Sequence, residues 1–198
     1  MKQIRITRDS NGNVKFETVS IDPSENVFFT NLDNQPHWPT LCNNQLGAAP
    51  SPNSSQCPVP APGGKSPPKS YKVDYGCKLH SKEHGVINVF AQLAAINTTL
   101  AQATKGTAIN SQKVVTGGMS PYAISGQQFE ITDANNNVIQ SGSGKIGPGL
   151  QLSATADNTG ISVSGTPTVL GTYNFTFEVN DGMGRNLQQV QYSMKVVP

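Results

Sequence analysis

At 198 residues, with 13% of them charged and a formal net charge of +2, the chain has room for one large all-β domain or two small ones. That charge is too small to argue for nucleic acid or an anionic membrane as partner, and no apolar run approaches the length that spans a bilayer. Gly, Ser, Thr, Asn, Gln and Pro are abundant, and helical periodicity is scarce.

Taken in chain order, the first half predicts strands over 2–7, 13–21, 26–32, 70–76 and 85–91. Met1-Lys2-Gln3 leads directly into the strand-like Ile4-Arg-Ile-Thr, so the expectation for an exported protein is a mature chain whose leader has been removed. Between the third and fourth strands, residues 43–68 are dominated by Pro, Ser, Asn, Gly and Gln. A connection of that length in a compact domain is functional or clamped. Cys42 and Cys57 flank much of it, and a disulfide between them would close a loop of about 15 residues, worth roughly 3 kcal/mol in the chain-entropy model. That pairing leaves Cys77 as an odd thiol, which in an exported protein needs a reason. Three reduced cysteines in the cytosol is the other reading.

Cys77 supplies the reason. In Tyr75-Gly-Cys-Lys-Leu-His-Ser-Lys-Glu-His84 a thiol and two imidazoles share a short loop that runs into Gly85-Val-Ile-Asn-Val. The chain has only three histidines, and the third, His37, ends the run that begins Asn26-Val-Phe-Phe. Cys77 and His80 converge if the loop is tight, and His37 from a neighbouring strand completes a trigonal His₂Cys set. Thiolate with imidazole suits copper, zinc or iron, and this trigonal set marks blue-copper sites. A Ser-His-Asp hydrolase set cannot be built without taking a histidine from this cluster.

The segment 92–103 reads as a linker or a short helix, since Ala and Leu favour helix and the paired threonines do not. Beyond it, strands are predicted at 112–116, 122–125, 128–132, 138–140, 150–154, 161–164, 171–180 and 187–197. Tyr173-Asn-Phe-Thr-Phe-Glu-Val alternates as a half-buried strand does. Asn135-Asn-Asn and Asn180-Asp-Gly are turn signals, and Asp157 and Asp181 read as turn formers rather than calcium ligands.

The first half resembles the cupredoxin family. Val19-Ser-Ile-Asp-Pro-Ser-Glu-Asn-Val-Phe-Phe through His37 is similar to its strand, turn, strand and first ligand. Tyr71-Lys-Val-Asp-Tyr-Gly-Cys77-Lys-Leu-His80 with Gly85 is similar to its ligand loop and last strand. The family places an axial Met after the loop His, and this chain has none there. His84 is the expected fourth ligand and Glu83 the alternative, and a three-coordinate or water-bearing site with both facing solvent is the remaining reading. Trp38 either shields the site or packs against Pro36 and Pro39, and Tyr75 is expected in the core. From Ala103 onward, Ser164-Gly-Thr-Pro-Thr with Gly171-Thr-Tyr and Gly147-Pro-Gly-Leu resembles the bacterial putative immunoglobulin-like modules.

The resemblances imply an all-β chain: a Greek-key cupredoxin β-sandwich over 1–92, a linker over 93–103, and an immunoglobulin-like β-sandwich over 104–198. They imply one copper ion, a redox partner protein and a periplasmic or extracellular bacterial location. Electron transfer is the expected function. A copper enzyme with an open position, a copper-delivery protein and a surface interaction module are the alternatives.

Overall fold

The computed structural model describes residues 2–23, 25–41, 44–45, 55–58 and 70–198. The chain is all-β: among the described residues there is no helix, and so none long and apolar enough to cross a membrane. It divides into two compact units, Met1–Ala91 and Gln92–Pro198. Cys42 of the expected Cys42–Cys57 disulfide lies outside the described residues.

The first unit contains β1 (Lys2–Arg8), β2 (Val14–Phe16), β3 (Val19–Ile21), β4 (Asn26–Asn31), β5 (Pro39–Leu41), β6 (Asn44–Gln45), β7 (Ser55–Pro58), β8 (Tyr71–Cys77) and β9 (His84–Val89). They form two sheets, ordered β2-β1-β4-β7 and β3-β9-β8-β5-β6. The segment expected as one strand over 13–21 is two: β2 pairs with β1 in one sheet, and β3 pairs with β9 in the other. Exposed Glu17 and Thr18 separate them, and the Glu17 N–H still bonds the Arg5 carbonyl, so the chain changes sheets at this corner.

Period-two alternation builds the core. Ile4 and Ile6 of β1, Val27 and Phe29 of β4, Tyr75 and Cys77 of β8, and Ile87 and Val89 of β9 are all buried in one cluster with Phe16 and Ile21. Cys77 is therefore the last inward-facing residue of its strand. Tyr75 is core, 1% exposed, with its hydroxyl donating to the Glu17 carbonyl at 3.2 Å. Its ring occupies the space beside Gly85, where an added Cβ would stand 2.2 Å from the ring carbon and oxygen.

The second unit contains β10 (Ala94–Ala95), β11 (Ala103–Thr104), β12 (Ile109–Thr116), β13 (Ala123–Thr132), β14 (Val138–Ser143), β15 (Leu150–Ala154), β16 (Gly160–Gly165), β17 (Gly171–Asn180), β18 (Asn186–Leu187) and β19 (Tyr192–Val197). Its sheets run β10-β12-β16-β15 and β11-β19-β17-β13-β14, with β18 paired to β17. The expected linker 93–103 is a correction: β10 pairs with β12, β11 pairs with β19, and Leu100 and Ala103 are buried in this unit's core. Apolar burial and ladder hydrogen bonds outweigh the weak local preference for helix in the Ala-rich run. The two strands expected at 122–125 and 128–132 are the single β13. Its irregularity falls between Ser125 and Gln128, where Gly126 takes a φ of +60°.

Tyr173, Phe175, Phe177 and Val179 of β17 alternate into this second core. Phe175 and Phe177 stack on Tyr192 with ring centroids 5.6 and 5.1 Å apart. Asp181 is a turn former, as expected. It is buried and accepts the N–H groups of Met119, Met183 and Arg185 together with the Arg185 guanidinium.

Candidate metal centre

Two loops of the first unit make the site, and backbone bonds lock them together. The loop after β4 carries Asp33 and His37. Asn31, at the end of that strand, organises it: its side-chain amide donates to the Gln35 carbonyl at 2.7 Å and its side-chain oxygen accepts the Asp33 N–H at 2.9 Å. The turn after β8 carries His80 and Glu83. It is closed by Cys77 N–H to Glu83 O at 3.0 Å, His80 N–H to Cys77 O at 3.3 Å and Glu83 N–H to His80 O at 3.1 Å. Lys78 N–H donates to Trp38 O at 2.8 Å, and Pro39 pairs with Cys77 in the sheet.

The turn and the strand alternation converge four donors. His37, Cys77, His80 and Glu83 each offer a ligand atom, all within 4.8 Å of one another. The Cys77 Sγ lies 3.9 Å from His37 Nδ1 and 3.4 Å from His80 Nδ1. Glu83 Oε2 lies 2.9 Å from His37 Nδ1 and 3.2 Å from His80 Nδ1. A metal with bonds of about 2.3 Å to sulfur and about 2.0 Å to nitrogen holds those atoms roughly 3.5–3.8 Å apart in tetrahedral or trigonal geometry. The sulfur and the two imidazoles therefore fit a single ion of the kind bound by sulfur and nitrogen, with the Glu83 carboxylate at hydrogen-bond distance from both imidazoles.

His84, the fourth ligand expected first, is not among the four. In the β8–β9 ladder it pairs with Gly76, and paired residues share a face. Cys77, one residue further, points to the opposite face. His84 is exposed and lines an open cleft with Phe16, Thr18, Asp74 and Val86. Glu83, still in the turn, carries its carboxylate to the cluster.

The surroundings are graded from buried to open. His37 is 1% exposed, with Phe16 edge-on to its ring at 5.9 Å. Cys77 is buried, and its sulfur accepts the Trp38 backbone N–H at 3.3 Å. The His80 side chain is 38% exposed. The Trp38 indole lies under the Lys78 ammonium, 4.5 Å from the ring centroid.

Two residues of this site carry no motif of their own. The Asp33 carboxylate takes His37 Nε2 at 2.8 Å. Arg8 donates to both of its oxygens, Nε to Oδ1 at 2.9 Å and Nη2 to Oδ2 at 2.7 Å. The Arg8 guanidinium holds the Asp33 carboxyl well below the usual carboxylate range, with the His37 contact acting in the same sense and burial opposing. Such a carboxylate behind a histidine directs the proton to Nε2 and leaves Nδ1 free to bind metal. Asp33 sits at i−4 from His37, which hints at its role. Arg8 is reached only through the parallel β1–β4 register, where Ile6 pairs with Asn31.

No protein-family model matches the chain, and no curated protein matches it. Solved structures similar in arrangement include titin A168169, at 11% identity and a TM-score of 0.39, covering 99% of this chain and 96% of that one. The three N-terminal domains of the Highly Immunogenic Outer Capsid protein of bacteriophage RB49 match at 12% identity and a TM-score of 0.32, over 91% and 67%. A copper nitrite reductase from Nitrosomonas europaea matches at 9% identity and a TM-score of 0.27, over 99% and 93%. Likeness at this level carries no functional weight, and the donor geometry alone bears on function.

Proposed function

We propose that the first unit is a mononuclear copper protein of the cupredoxin type, in which Glu83 would hold the copper beside His37, Cys77 and His80, and that it carries single electrons for a redox partner protein. The observation that carries this reading is the convergence of one thiol sulfur, two imidazole Nδ1 atoms and one carboxylate oxygen within 4.8 Å. Copper held there would supply the Cu(I)/Cu(II) couple. His37, Cys77, His80 and Glu83 would hold it through one sulfur, two nitrogens and one oxygen.

The chain's own residues limit rearrangement. His37 is held from behind by Asp33, the Cys77 sulfur by the Trp38 N–H, and Glu83 by its turn. His80 is the half-exposed edge of the cluster, the side from which a partner would exchange an electron. A periplasmic or extracellular location suits a protein whose odd cysteine binds metal, and belongs to the same proposal.

A carboxylate is a harder ligand than a thioether, so it favours Cu(II), lowers the potential and moves the colour away from pure blue. Absorption and EPR spectra of the copper-loaded protein beside Cys77→Ala test the reading. An intense thiolate-to-copper band, with a component at wavelengths shorter than a blue site's and lost in the variant, is expected. Substoichiometric copper with no such band would remove the reading and leave an interaction module. A colourless site preferring zinc would leave a structural metal. Reaction of the reduced site with peroxide, nitric oxide or nitrite, in place of simple exchange with a protein partner, would favour a copper enzyme.

A further inference from the structure

Behind His37 stands a charged assembly that no ligand set requires. Asp33 has a side chain only 2% exposed, and its oxygens are shared between His37 Nε2 and the Arg8 fork. Arg8 is half open to solvent, its side chain 37% exposed, and its Nη1 donates to the Gly12 carbonyl at 2.6 Å. The fork of Arg8, at the end of β1, therefore holds one carboxylate on the far side of one imidazole.

We propose that the Arg8–Asp33 pair tunes the reduction potential of the metal site through His37, Asp33 lowering it and Arg8 limiting how far. The inference rests on the copper reading above. A carboxylate accepting the Nε2 proton raises the basicity of Nδ1. It also places negative charge behind the ring in a buried setting, where charge is weakly screened. Both effects favour the more highly charged oxidised metal. The Arg8 fork draws part of that charge away, because a carboxylate shared with a guanidinium is a weaker acceptor for the imidazole. Asp33 and Arg8 touch no donor atom of the cluster and are positioning residues.

Asp33→Asn keeps an oxygen acceptor of the same shape for His37 and removes the charge. Arg8→Gln keeps the carboxylate and removes its neutralising partner, while His37 still holds it. The two substitutions therefore push the potential in opposite directions, whereas a merely structural clamp would fail in the same direction when either half was lost.

The experiment is a redox titration of the full-length copper-loaded protein and both variants, followed by the thiolate-to-copper band. The Cu(I) forms are also examined by nitrogen NMR for the His37 tautomer. Asp33→Asn is expected to reduce the preference for Cu(II) over Cu(I) by roughly 10- to 100-fold, the usual effect of losing such a partner. At about 59 mV per tenfold for one electron, that is a rise of about 60–120 mV. Arg8→Gln is expected to lower the potential, with the proton on His37 Nε2 throughout. Potentials that stay put, or move together, with the band intact would overturn this inference and leave the copper reading standing. Absence of the band in the unaltered protein would overturn both. If Asp33→Asn does not fold, an unchanged or raised potential in Arg8→Gln is sufficient to overturn it.

Discussion

Glu83 and His84 are adjacent in the chain and differ in what they can reach. Glu83 belongs to the turn, its N–H tied to the His80 carbonyl, and its carboxylate meets both His37 and His80. His84 is the first residue of β9, and its pairing with Gly76 commits it to the outer face. Glu83→Gln should therefore weaken Cu(II) binding by at least about tenfold and shift the EPR hyperfine splitting towards that of a more trigonal site. His84→Gln should leave both unchanged. Competition titrations with a copper chelator and EPR on the two variants check this, and a strong effect of His84→Gln with none of Glu83→Gln would reverse the assignment. The thiol and both loop and strand histidines were legible from residue type and spacing. The choice between two consecutive residues was not, because it depends on which of them the ladder captures.

Strands carry the next set of consequences. Tyr192, at the start of β19, is 1% exposed and donates to the Val114 carbonyl of β12 at 3.0 Å, joining the two sheets of the second unit. Burial pushes its phenol up to about 12. An unfolded tyrosine ionises near pH 10, so the folded state holds this proton more tightly. The resulting contribution to stability, up to about 2 kcal/mol, is fully present below about pH 10 and is lost as pH rises to about 12. Urea unfolding at pH 8.5 and 11.5 should show a steeper loss in the unaltered protein than in Tyr192→Phe. Equal losses would mean that the phenol is not sheltered. At neutral pH Tyr192→Phe should cost about 1 kcal/mol, because the Val114 carbonyl keeps its bond from the Ile96 N–H at 2.8 Å. Most strands were predictable from alternation. Their breaks were not: the sheet change at Glu17 and Thr18 and the continuation of β13 past Gly126 are set by partner strands.

At the level of the whole chain, each unit has its own buried cluster. The sole tryptophan, Trp38, lies in the first unit and the stacked Phe175–Phe177–Tyr192 group in the second. Phe175→Ala should cost the second unit about 3–5 kcal/mol. The expected outcome is a circular-dichroism transition moved to lower denaturant while the unfolding reported by Trp38 emission stays in place. A common shift in both signals would show that the units unfold as one.

By itself, the sequence determined the all-β character and set Cys77 and His80 on one short loop. Alternating apolar residues and a short Cys-x-x-His loop are local signals, and a local signal survives in one dimension. Only the tertiary structure decided that Glu83 joins the cluster, that residues 93–103 complete a sandwich, and that Arg8 reaches Asp33 behind His37. The first depends on the register of the β8–β9 hairpin, and the other two on pairing between strands distant in sequence. Register is settled by which faces can be buried together, a property of the packed sheets and of no single segment.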